Sequence, residues 1–170
     1  MKNTIYDKVE SLVKRCKTRE PSEIAAALGI SVVYNPSLGK LKGFYIVLNR
    51  KRYIVINDEL EEREKRMVLS HEIGHDRLHR ALAANAALQE FVLYDMKSRP
   101  EYEANVFAAE LLLADTEVAE LAKAGYDIEE MAKILETDIN LAALKVSAMN
   151  ARGYSFNSAI IPKRNFLSNK

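Results

Sequence analysis

Between residues 4 and 17 the apolar positions Ile5, Val9, Leu12 and Val13 recur every three or four residues. That spacing gathers side chains on one stripe of an α-helix and predicts a helix over 4–17. A short helix is predicted over 21–28, with Pro21 in its first turn and Gly29 placed to end it. The pattern then changes to short apolar runs. ISVVYN (30–35), KGFYIVLN (42–49) and RYIVIN (52–57) predict three strands. Asn49-Arg50-Lys51 is short and polar, as in a hairpin, and NPSLGK has the turn residues of a loop.

Helical spacing returns from about 59 to 80, where Asp58 and Glu61 make a capping-box pattern. The stretch ALAANAALQEFVLYDMK is mixed, and its part LQEFVLYD reads as extended. Ser98 and Glu101 form a second capping-box pattern, with Pro100 in the first turn of a helix predicted over 99–113. Further helices are predicted at 115–123, 127–136 and 139–151, and the tail SFNSAIIPKRNFLSNK has no clear element. The expected fold class is α+β, with a mixed or antiparallel sheet of three or more strands and a helical C-terminal region. One domain is expected over 1–170, divided into a core (1–114) and the helical region (115–170).

Composition narrows the function classes. The chain has 170 residues, 48% hydrophobic and 29% charged, which suits a globular domain with a real core. A formal net charge of +1 gives no global field toward nucleic acid or acidic membrane. Cys16 is the only cysteine, so no internal disulfide and no CxxC knuckle is possible. The charged N-terminal stretch does not read as a signal peptide, and no apolar run reaches the roughly 18 residues of a membrane span. A cytoplasmic location is expected.

The candidate chemistry lies in LSHEIGHDRLH, which holds all three histidines, His71, His75 and His79. At about 100° per residue, His71 and His75 stand about 40° apart and one turn above the other. Val68 and Leu78 share their stripe, so it faces the interior. Two imidazoles spaced this way in H-E-x-x-H can reach one zinc ion, while Glu72 reaches a water as general base. As core histidines without a metal, the pair would need partners for four ring nitrogens. Gly74 allows another segment to approach closely. His79 lies about 12 Å along the axis from His71, too far to share an ion, and is read as a structural or supporting residue.

A catalytic zinc needs a third protein ligand, expected to be a carboxylate on another element. RPEYEANVFAAELLLAD offers Glu101, Glu103 and Glu110. Glu101 sits at the capping position after Ser98. Glu103 shares a stripe with Phe107 and Glu110 at the second turn of a mostly apolar helix. Glu103 is favoured, Glu101 is the alternative, and Glu110 reads as a rim charge. Ala104, Ala108 and Ala109 suit close packing on the histidine helix.

HEIGH followed by EYEANVFAAELLL, preceded by PSEIAAALGI, LKGFY and YIVIND, resembles the ImmA/IrrE family of metallopeptidases over roughly residues 20–114. The resemblance implies a zincin-like core of the gluzincin type, with zinc held by His71, His75 and Glu103, and Glu72 as catalytic base. It implies an antirepressor of a phage or integrative element, which cleaves an intracellular helix-turn-helix repressor. The family often ends its second motif with a proline, whereas Ala114-Asp115 stand here. Tyr45, Tyr94, Tyr102 and Tyr126 are candidates for a second electrophile.

Two other classes compete with a peptidase. EIAAALGIS resembles the start of a helix-turn-helix, but strand-like residues follow it. IEEMAKILE and NLAALKVSAMN form a better helical pair, yet Lys145 is the main basic group of the second helix, too little for phosphate contact. Direct nucleic-acid binding is therefore not expected. A scaffold with a structural zinc would need four protein ligands, and three are found.

Overall fold

A computed structural model describes residues 4–83, 88–90 and 98–156, in two compact units, Met1–Leu112 and Leu113–Lys170. In the first unit, α1 (Ile5–Cys16) starts at Thr4, which forms a capping box with Asp7. The second helix, α2 (Pro21–Leu28), has the predicted bounds. Three strands follow, β1 (Ser31–Asn35), β2 (Gly43–Leu48) and β3 (Lys51–Asn57). The short β4 (Leu88–Glu90) lies within the segment that read as extended, and the rest of that segment falls outside the described residues.

The sheet is mixed, in the order β1-β3-β2-β4. Strand β3 pairs parallel to β1 and antiparallel to β2, and β4 adds antiparallel to β2. The β2–β3 turn puts Asn49 (φ 48°) and Arg50 (φ 63°) in the left-handed region. This is the pattern of a two-residue hairpin whose twist matches its strands. Tyr45, Ile54 and Ile56 are buried on one face, and Val33 and Tyr34 are exposed. The buried face joins Val9, Leu12, Ile24, Val68, Ile73, Phe107 and Leu111 in one core cluster.

The histidine helix α3 (Glu62–Leu78) begins later than expected. Its N-cap is Glu61, without a side-chain cap, and Asp58 instead accepts from Lys65 Nζ at 2.8 Å. Asn57 organises the entry to α3. Its Nδ2 donates to Gly39 and Leu41 carbonyls at 3.0 and 3.2 Å, and its Oδ1 accepts from Glu59 N at 3.0 Å. The helix ends at Leu78, two residues early, and Arg80–Ala83 form a separate short helix, α4.

Helix α5 (Arg99–Leu112) packs against α3. A Cβ added at Gly74 would lie 3.2 Å from Ala104 Cα, Ala104 O and Phe107 Cβ. Gly74 thus lets the two backbones approach as the sequence predicted. Arg19 closes the far end of α5 by donating to the Glu110 and Leu111 carbonyls at 2.9 and 3.2 Å.

The second unit holds α6 (Asp115–Lys123), α7 (Ile128–Ile134) and α8 (Ile139–Ala151). Lys145 is fully buried, with its Nζ 2.6 Å from Asp115 Oδ1. Arg152 donates to the same carboxylate at 2.7 Å. The one cation that made α8 a candidate recognition helix is therefore committed inside its own unit. Among the described residues, no helix is long and apolar enough to cross a membrane.

Candidate metal centre

Burial and helix spacing place the first two groups. His71 and His75 lie one turn apart on the inner face of α3, each 1% exposed. Their Nε2 atoms are 3.0 Å apart. From α5, Glu101 Oε2 lies 3.2 Å from His71 Nε2, and Glu101 Oε1 lies 3.4 Å from His75 Nε2. Among the described residues, these three form a group that could hold a metal ion, with ligand atoms all within 4.8 Å of one another.

The carboxylate that the structure brings to the imidazoles is that of Glu101, not that of Glu103, the ligand expected from the sequence. Ser98 Oγ accepts from the backbone N of Glu101 at 3.3 Å, so that cap uses the Glu101 main chain and leaves its carboxylate to face the rings. Glu103 turns to the flank of α5. It accepts from Arg99 Nε at 2.6 Å and lies 3.0 Å from His79 Nε2. Glu110 is buried at 1% exposure, not the rim charge that was expected.

The donor set fits a zinc ion. Bonds of about 2.1 Å at tetrahedral angles put ligand atoms about 3.4 Å apart, close to the observed 3.0–3.4 Å. Proton placement agrees. His71 Nδ1 lies 2.9 Å from Asn105 Oδ1, an oxygen that can only accept, so the ring proton sits on Nδ1 and the Nε2 lone pair faces the cluster. Lone pairs on two nitrogens and a carboxylate crowded this closely repel unless a cation lies among them.

A family described as the IrrE N-terminal-like domain, Peptidase M78, matches residues 25–149. The chain belongs to this peptidase family. Membership places it among metallopeptidase-type hydrolases and implies a metal. A relative from Bacillus phage phi105, "Uncharacterized immunity region protein 2", is 36% identical over 137 residues, or 81% of this chain and 85% of that protein. The M78 match contains the whole of α3 and α5, and so every residue of the cluster.

Electrostatics prepare this M78 site for a cation. Burial, and secondarily the neighbouring His71, push the His75 pKa down against the opposing pull of Glu101, which favours the neutral, ligating imidazole. Burial works to raise the Glu101 pKa, but the His71 and His75 rings beside it outweigh that and hold it well below the usual carboxylate range. Glu72 is fully buried beside β2, where a Cβ added at Gly43 would come within 3.7 Å of its Oε1.

Two supporting residues escaped the sequence reading. Asn105 orients His71, and its only sequence signal was a polar side chain amid the alanines of α5. Asp76 is 1% exposed and accepts from Tyr45 Oη at 2.7 Å, Arg52 Nη1 at 3.1 Å and Arg80 Nη2 at 3.1 Å. It pins α3 to β2 and β3 one residue after His75. Burial, reinforced by the Asp76 bond, raises the Tyr45 pKa, and its hydroxyl donates to Asp76. Tyr102 and Tyr126 are exposed, and Tyr94 lies outside the described residues.

Proposed function

We propose that this chain is a zinc-dependent endopeptidase of the cytoplasm that cleaves a helix-turn-helix repressor and so acts as an antirepressor. The observation that carries the reading is the meeting of the His71 and His75 Nε2 atoms with the Glu101 carboxylate, beside the buried Glu72. The phage relative named for an immunity region supports the repressor class of substrate, because immunity is a matter of repression. The burial of Lys145 against Asp115 weighs against direct DNA binding.

In this reading His71, His75 and Glu101 hold the ion. When bound, the ion supplies Lewis acidity to the attacking water and to the scissile carbonyl. Glu72 takes a proton from that water and passes it to the departing amine nitrogen. Asn105 holds the His71 ring by its Nδ1–H, and Asp76 fixes the helix that carries all three motif residues. Three protein ligands leave a coordination position for substrate, as catalytic zinc sites require.

The test is coexpression of the chain with any helix-turn-helix repressor found encoded near its gene. Intact repressor disappears with the wild type and persists with Glu72→Gln. Repressor that survives both, in cells where the chain accumulates folded, overturns the assignment.

A further inference from the structure

Resting on the zinc reading above, we propose that His79 and Glu103 are positioning residues for His75, forming a proton-ordered chain that holds its ring for the metal. The chain is continuous. His75 Nδ1 lies 3.1 Å from His79 Nδ1, His79 Nε2 lies 3.0 Å from Glu103 Oε2, and Arg99 Nε donates to Glu103 Oε1 at 2.6 Å. His79 is 8% exposed, so water does not readily replace these partners.

Only one arrangement of protons satisfies every contact. A metal-binding Nε2 must present a lone pair, so the His75 ring proton sits on Nδ1. Facing that N–H, His79 Nδ1 must accept. The His79 proton then sits on Nε2 and donates to the Glu103 carboxylate. In the opposite tautomer of His79, two N–H groups would meet across 3.1 Å, and a lone pair would face a carboxylate oxygen across 3.0 Å. Arg99 Nε donates to Glu103 Oε1 and His79 Nε2 faces Glu103 Oε2, so the carboxylate that ends the chain accepts on both oxygens.

The two histidine ligands are thus supported differently. His71 ends on the neutral amide of Asn105, and His75 ends, through a second imidazole, on an anion. Hydrogen bonding to an anion makes an imidazole a stronger donor to a metal and restricts ring rotation. This gives the third histidine and the displaced glutamate one shared task.

The test uses the full chain. Zinc affinity is measured by competition with a chromophoric chelator for the wild type, His79→Ala and His79→Asn. The Asn Oδ1 stands where His79 Nδ1 stood and can accept from His75. We expect His79→Ala to bind zinc about 10–100-fold more weakly, and His79→Asn to recover most of the loss. In ¹⁵N-histidine NMR of the zinc-loaded wild type, His79 should carry its proton on Nε2 and His75 on Nδ1. A His79 proton on Nδ1 overturns the proposal even if His79→Ala fails to fold. Unchanged zinc affinity in folded His79→Ala also overturns it, while leaving the peptidase reading intact. A wild type that takes up no zinc overturns both.

Discussion

Two residues on a helix separated by two positions point about 200° apart, so Glu101 and Glu103 serve different neighbours. Glu101 joins the imidazoles, and Glu103 joins His79 and Arg99. Their replacements should separate accordingly. Glu101→Ala should lower zinc affinity by more than about 100-fold, and Asn105→Ala by about 10–100-fold, as is usual for a group that orients a ligand. Chelator competition measures both, and an Asn105→Ala loss equal to that of Glu101→Ala would contradict this ranking. At Asp76, substitution by alanine removes the acceptor of a buried tyrosine hydroxyl and of two arginines. Arg52 and Arg80 are 22% and 49% exposed and can turn to water, which tempers the loss. A loss of about 2–3 kcal/mol in denaturant unfolding is expected.

Helix α3 depends on how closely α5 approaches it. An isolated helix would gain about 1 kcal/mol from Gly74→Ala through propensity alone. Here the new methyl would meet two backbone atoms of Ala104 at 3.2 Å, and backbone cannot move aside as a side-chain tip can. Overpacking should prevail, with a net destabilisation of about 1–3 kcal/mol and a parallel loss of zinc affinity as α5 is displaced. Equilibrium unfolding and chelator competition check the two effects together. In the second unit, the Asp115 pKa is set by burial, which raises it, against the stronger pull of Lys145 and Arg152, which lowers it below the ordinary 3.8. A depressed folded pKa means stability fully present above the ordinary value and lost as pH falls through the folded one. Amide exchange in α8 should therefore accelerate below about pH 4. Asp115→Asn should remove this acid dependence and cost on the order of 3 kcal/mol, because it leaves the buried Lys145 charge poorly balanced.

For the whole molecule, the expected thermodynamic signature is metal linkage. A cation that binds only the folded cluster stabilises the protein by about 2.7 kcal/mol at a free concentration 100 times its dissociation constant. Zinc should raise the melting temperature of wild type and Glu72→Gln alike, and a chelator should reverse it. A melting temperature indifferent to zinc would mean that the cluster does not hold the ion. The phage relative covers most of both chains, and the M78 match runs from α2 to α8. The helical second unit therefore lies largely within the family match, although the cluster itself lies wholly in the first unit.

The order and type of the elements were legible in the sequence because hydrophobic period and turn chemistry are local properties. The predicted bounds of α2 and α8 match, and β1, β2 and β3 differ by a residue at their ends. The pairing of His71 with His75 was legible for the same reason, since four residues on a helix fix their separation. The rotation of α5 about its axis was not. It goes with the close approach of Gly74 to Ala104, and it brings Glu101 rather than Glu103 to the imidazoles. The start of α3, the partners of Asp76 and the burial of Lys145 were likewise decided by tertiary structure. A charged side chain's partner depends on which elements pack together, and no local period encodes that distance.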